Sequence, residues 1–152
     1  MKIPRVAGLL LASGFAFVAA AHPALDNPRA EAGSSYRAAI RITHGCSGSP
    51  VREVIVQIPE GVHGAKPMPK PGWQIAIEPR AIRWSGGRID NGYFDEFVLL
   101  VQLPEAPGTL YWKVSQVCEQ GRIDWFDTSG DGKTPAASLE VLPSTGHSGH
   151  KH

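Results

Sequence analysis

Tyr36-Arg37-Ala38-Ala39-Ile40-Arg41-Ile42 places Tyr36, Ala38, Ile40 and Ile42 on one side of an extended chain and Arg37 and Arg41 on the other. A period of two belongs to a strand with one buried face. The same alternation returns in Val54, Val56 and Ile58 against Glu53 and Gln57, and in Trp73, Ile75 and Ile77 against Gln74. Residues 97–103 (Phe-Val-Leu-Leu-Val-Gln-Leu) form an almost continuous apolar run, as expected of a strand covered on both faces. Leu110, Trp112 and Val114 alternate with Tyr111 and Lys113, and residues 122–126 and 138–142 read as two short final strands. Between these runs lie breakers: Pro50, Pro59-Glu60-Gly61, the proline-rich residues 66–72, Gly86-Gly87, residues 104–108 and Gly130-Asp131-Gly132. Thirteen prolines and seventeen glycines leave no interval with a helical period. The pattern therefore predicts an all-β chain, an antiparallel immunoglobulin-like β-sandwich of seven to eight strands.

Ahead of the first strand the chain reads as a cleavable leader. Lys2 and Arg5 supply a basic start, residues 6–18 a short apolar run, and Ala19-Ala20-Ala21 the small residues that signal peptidase accepts. The run is too short for a stable membrane span. Residues 1–21 are thus expected to be a signal peptide, residues 22–142 the sandwich domain, and residues 143–152 a disordered histidine-containing tail. Export places the mature chain in the periplasm or outside the cell. Cleavage also takes away two of the fifteen basic residues, leaving thirteen against fourteen acidic ones. That balance argues against nucleic acid or an anionic membrane as partner.

Cys46 and Cys118 are the only cysteines, and an even pair in an exported chain is most simply a disulfide. Closing a loop over 72 positions is worth about 4 kcal/mol in the chain-entropy picture. A cysteine nucleophile paired with His44 would leave the second cysteine without a role.

Cutting after Ala21 exposes His22 as the first residue. Its free α-amine and ring Nδ1 can then grip one metal ion as a chelate. The amine has a pKa of about 8, well below that of lysine, so it gives up its proton to a metal readily. Pro23, which has no backbone N–H, prevents copper from wrapping onward along the first peptide bonds. A histidine exposed there by accident of cleavage is the competing explanation.

Several segments, in this order and in one small exported domain, carry a resemblance. They are the N-terminal histidine, Tyr36-Arg37-Ala38 running into Arg41-Ile42-Thr43-His44-Gly45-Cys46, Lys66-Pro67-Met68-Pro69-Lys70-Pro71-Gly72-Trp73, Trp84-Ser85-Gly86-Gly87, Asp95-Glu96-Phe97, and Cys118-Glu119 with Trp125. Together they resemble the YcnI family of copper-binding β-sandwich proteins, over nearly the whole mature chain to about Leu142. The resemblance implies a Cu(II) site at a mono-histidine brace on the first mature residue, here His22. It also implies a tryptophan beside the metal, matched by Trp125. The better-known branch adds a glutamate shortly after the first long strand, and here that stretch reads Thr43-His44-Gly45-Cys46 with no carboxylate. His44 stands in its vicinity as the substitute ligand, since imidazole suits Cu(II). A shorter connection between Ile77 and Trp84 is a second departure.

Other candidates are weaker. Glu31, nine residues beyond His22, is either a further ligand or a solvated charge. His147, His150 and His152 form a short tract that would scavenge copper or zinc, or else a polar tail. Asp127-Thr128-Ser129-Gly130-Asp131-Gly132 opens like a calcium loop, but Ser138 stands where the closing glutamate belongs, so it reads as a turn. Met68 is the only methionine of the mature chain, a poor set for Cu(I), whereas a nitrogen-rich site suits Cu(II), and zinc fits on ligand type alone.

The sequence thus supports an exported Cu(II)-binding protein that buffers, stores or hands on copper, with an exported copper chaperone or a membrane copper transporter as partner. The alternatives are a mono-copper oxidative enzyme built on the same brace, and a metal-free structural sandwich. No Gly-x-Ser-x-Gly elbow or phosphate-binding glycine loop is present in the sequence. Intact-mass analysis of exported protein is expected to find a chain starting at His22 with both cysteines bridged. A start elsewhere, or two alkylatable thiols without reductant, overturns this reading.

Overall fold

The computed structural model describes residues 22–146, so the leader reading and His147, His150 and His152 lie outside the described residues. These residues form strands only: β1 (Ala24–Leu25), β2 (Arg29–Glu31), β3 (Ser35–Ile42), β4 (Val51–Gln57), β5 (His63–Pro67), β6 (Gln74–Glu78), β7 (Ala81–Ile89), β8 (Asp95–Gln102), β9 (Gly108–Trp112), β10 (Val114–Cys118), β11 (Arg122–Trp125) and β12 (Ala137–Leu142). One layer contains the sheet β1-β3-β8-β5, and the facing layer the sheet β11-β10-β4-β7-β6. A third sheet, β2-β12-β9, joins the chain ends. All pairings are antiparallel except β2 with β12, which is parallel.

The expected all-β sandwich and its disulfide are present, but with twelve strands where the sequence predicts seven or eight. Four departures explain the difference. First, β1 and β2 are too short to show a period. Second, β5 runs into the start of the segment read as a proline-rich connector, and its Pro67 is tolerated because β5 is an edge strand.

Third, the longest strand, β7, was hidden by Gly86-Gly87, which read as a breaker but lies within the strand. The register against β4 slips between Val51 and Glu53, so the glycines accommodate a bulge, with Gly86 at φ +81°. A Cβ on Gly87 would fall inside the Trp73 indole. Fourth, the run from Leu110 to Val114 is not one strand. The chain crosses between sheets at Lys113, so that β9 pairs with β12 and β10 pairs with β4 and β11.

The layers meet through aromatic side chains. The Phe97 ring of β8 sits edge-on to Trp84 of β7 at 5.4 Å between centroids and to Trp73 at 5.0 Å. Alternating inward residues of β3, including Ala38, Ile40 and Ile42, complete the core. The expected burial of residues 97–103 on both faces holds for Val98 but fails at Leu100, which is half exposed. The Lys-Pro-Met-Pro-Lys-Pro-Gly-Trp segment folds over one rim. Lys70 pairs with Asp95 at 2.6 Å and lies over the Phe97 ring, which brings Trp73 down onto Phe97.

Gly87→Ala is expected to cost about 1–3 kcal/mol of stability through collision with Trp73. Gly86→Ala meets open space and should cost about 1–2 kcal/mol from its left-handed backbone alone. Urea unfolding of both variants, with Trp73→Ala tested for suppression of the Gly87 defect only, checks the assignment.

Candidate metal site

The connection between β3 and β4 begins with Thr43-His44-Gly45-Cys46 and turns sharply, with Cys46 and Ser49 exchanging backbone hydrogen bonds. Gly45 is required there, because a Cβ would fall on the Ser49 carbonyl oxygen. Two residues after His44, Cys46 is bridged to Cys118 at the end of β10, with 6.0 Å between the Cα atoms. The bridge fastens this connection, which leaves one layer, to a strand of the other. His44 is thus held on a short, doubly anchored loop.

The His44 ring is half-buried, and its Nδ1 lies 2.7 Å from the Gly45 carbonyl oxygen. A carbonyl only accepts, so in the neutral ring Nδ1 carries the proton and Nε2 keeps its lone pair. That Nε2 is buried and, among the described residues, has no hydrogen-bond partner. A buried lone pair without a donor is costly, and an imidazole oriented by a carbonyl on its other nitrogen is the usual state of a metal ligand.

Trp125 of β11 packs edge-on against His44 at 6.3 Å between centroids and is 6% exposed. Its indole N–H donates to Oε1 of Gln116. The Gln116 Nε2 in turn donates to the His44 carbonyl oxygen at 2.9 Å. Trp125 pairs with Val114, so Gln116 is its diagonal neighbour on the same inward face. Gln116 is 1% exposed. Sequence reasoning missed it. The available signal was one polar residue on the apolar side of the strand, beside Val114 and Cys118.

His22 stands just before β1, half-buried, with Nδ1 3.2 Å from the Pro23 carbonyl oxygen. It borders a cleft of about 420 Å³ shared with Pro28, Tyr111, Asp127, Ser129 and Pro135. The strand that follows is pinned from below. Arg41 pairs with Asp26. Tyr36 donates to the Asn27 carbonyl at 2.6 Å, and burial, reinforced by the Asp26 charge, pushes the phenol pKa up to about 12.

Of the sequence candidates, the structure brings His44 and Trp125 together, whereas His22 lines a cleft to which neither of them contributes. Glu31 is exposed on β2 and accepts from the Thr145 hydroxyl at 2.9 Å. Among the described residues no group of three or more His, Cys, Asp or Glu side chains is gathered as a metal cage. The Asp127 loop is a turn. Its carboxylate accepts from the Ser129 backbone N–H and hydroxyl and from the Gly132 N–H. Those bonds, led by the Ser129 backbone, hold the carboxyl below its ordinary pKa. Tyr93 and Phe94, at the tip between β7 and β8, are exposed beside Thr43.

A cystine-clamped immunoglobulin-like sandwich with a histidine–tryptophan cluster beside the clamp defines the class of this domain. The chain belongs to the family described as "Domain of unknown function (DUF1775)", which matches residues 22–82 and 74–141. It is 24% identical over 145 residues to Copper-binding protein CutI of Bacillus subtilis (strain 168), spanning 91% of this chain and 70% of that one. Among solved structures it is similar to an uncharacterized Nocardia farcinica protein with an immunoglobulin-like fold. There the TM-score is 0.68 and the identity 21%, covering 79% of this chain and 97% of the other. The Reelin-N domain of F-spondin gives a TM-score of 0.53 at 18% identity, over 80% and 85% of the two chains. At these identities the solved structures speak to fold alone.

Nitrogen NMR of labelled, metal-free protein is expected to find His44 protonated at Nδ1 and unprotonated at Nε2. The opposite tautomer would remove Nε2 as a donor atom.

Proposed function

We propose that this chain is an exported Cu(II)-binding protein that buffers, stores or delivers copper through His22 and His44. The observation that carries the reading is the buried Nε2 of His44, without a partner among the described residues, on a ring oriented by Gly45 and packed beside Trp125. Likeness to a protein named for copper binding supports the choice of metal. Two imidazoles and an amine form a nitrogen-rich set, which favours Cu(II) over Cu(I).

The pairing of β1 with β3 supports the involvement of His22. Ala24 lies opposite Arg41 and Leu25 opposite Ile40. Carried back two residues past the end of that pairing, the same register would set His22 level with Thr43, the neighbour of His44. Signal-peptide removal after Ala21 would free the α-amine there. His22 would then hold the metal through Nδ1 and that amine, in place of its present contact with the Pro23 carbonyl. Trp125 packs against the His44 ring. On this reading the protein is a periplasmic or extracellular binder, handing copper to an exported chaperone or a membrane transporter. Glu31 and the tail histidines are accessory at most.

The test compares correctly processed protein with a version carrying one added N-terminal alanine, which converts the amine to an amide without a usable lone pair. Competition titration is expected to show Cu(II) affinity at least tenfold weaker in the extended form, with an unchanged circular dichroism spectrum. Affinity of the processed form should fall as pH drops below about 8, as the free amine takes up a proton. His44→Ala should weaken binding and change the copper hyperfine pattern, whereas deletion of residues 147–152 should leave the tight site intact. Equal affinity of processed and extended forms removes the brace.

A further inference from the structure

We propose that Gln116 is the positioning residue of this site, and that Trp125 acts on His44 through the Gln116 amide rather than by touching the metal. This rests on the copper reading above. The amide orientation is dictated by its partners. An indole N–H only donates, so it takes the amide oxygen, and the His44 carbonyl only accepts, so it takes the amide nitrogen. The result is a one-way relay from the Trp125 N–H through Gln116 to the main chain of His44, ending in the Nδ1–H that His44 gives to Gly45.

Each link fixes something different. The Gly45 carbonyl sets the ring's tautomer, and the cystine holds Cys46, two residues further on. The His44 backbone itself is held by Gln116, 72 positions away in sequence. An apolar side chain would serve packing better at this place, because Val114, Cys118 and the opposing Val54 are all buried and apolar or bridged. A primary amide there is costly unless both its ends are satisfied. Its two partners are His44 itself and Trp125, whose ring packs edge-on against the imidazole.

The test uses correctly processed protein and four variants: Gln116→Met, Trp125→Phe, the two combined, and His44→Ala. Gln116→Met keeps length and volume but breaks both hydrogen bonds. Trp125→Phe keeps an aromatic ring while removing the N–H and part of the indole, and it leaves the Gln116–His44 bond in place, so it remains informative where the methionine variant folds poorly. Gln116→Met is expected to weaken Cu(II) binding about 10- to 100-fold, the usual range for residues that orient a metal ligand. It should also shift the copper hyperfine coupling, a readout that general loss of stability would not move. Trp125→Phe should move both quantities the same way by less, and the double variant should be no weaker than Gln116→Met alone.

Wild-type affinity and hyperfine pattern in Gln116→Met, with His44→Ala defective, overturn the positioning role and leave the copper reading standing. Effects of Gln116→Met and Trp125→Phe that multiply in full overturn the relay, since Trp125 would then act independently. Wild-type binding in His44→Ala overturns the copper reading and this proposal with it.

Discussion

The Cys46–Cys118 bridge is the constraint on which the rest of this end of the molecule depends. It ties the connection leaving β3 in one layer to the last residue of β10 in the other, and so fixes the separation of the two sheets at one pole. The His44, Gln116 and Trp125 cluster is built around it. His44 precedes Cys46 by two residues, Gln116 precedes Cys118 by two, and Trp125 lies across the adjacent strand from Gln116. A cystine closing so long a loop is worth a few kcal/mol through the unfolded state. Its local effect is separate: it removes freedom from the one loop where a half-buried imidazole must keep its orientation.

The fold was legible because its main strands expose period two directly. Residues 36–42 alternate over a whole strand, and the two cysteines lie far apart in a chain read as exported. What could not be read were events that depend on a partner strand. Gly86 and Gly87 look like a turn unless one knows that a bulge against Val51 and the Trp73 ring both need them. Lys113 looks like one polar position of a strand until β9 and β10 are seen to pair with different sheets. Pro67 looks like a connector because sequence alone does not reveal an edge.

The candidate site divides along the same line. His44 and Trp125 are residue types with their own chemical signature, and the sequence marks both. Gln116 is an ordinary strand residue whose meaning lies in the two groups at its ends, one 72 positions earlier in the sequence and the other on the adjacent strand. Likewise the availability of His44 Nε2 follows from what the other ring nitrogen bonds, a fact that no spacing encodes. Glu31 shows the reverse case. The sequence leaves it as either a further ligand or a solvated charge, and the structure puts it exposed on β2, paired with β12, with its carboxylate accepting from Thr145.

On the proposed reading the two histidines contribute unequally, and the inequality suits a protein that must release what it binds. His44 is fixed by a cystine two residues away, a glycine with no room for a side chain, and a buried amide on its carbonyl. Its ordering cost is met when the chain folds, so its contact with a metal loses little entropy on binding. His22 instead precedes the short β1, half-buried at the edge of a cleft, and its chelating power depends on a free amine. A rigid ligand gives the site its place and selectivity for nitrogen-loving ions. A terminal chelate gives most of the affinity and is the half that a competing ligand or a proton can lift away first, so exchange would begin at His22 while the fold and the His44–Gln116–Trp125 relay stay intact.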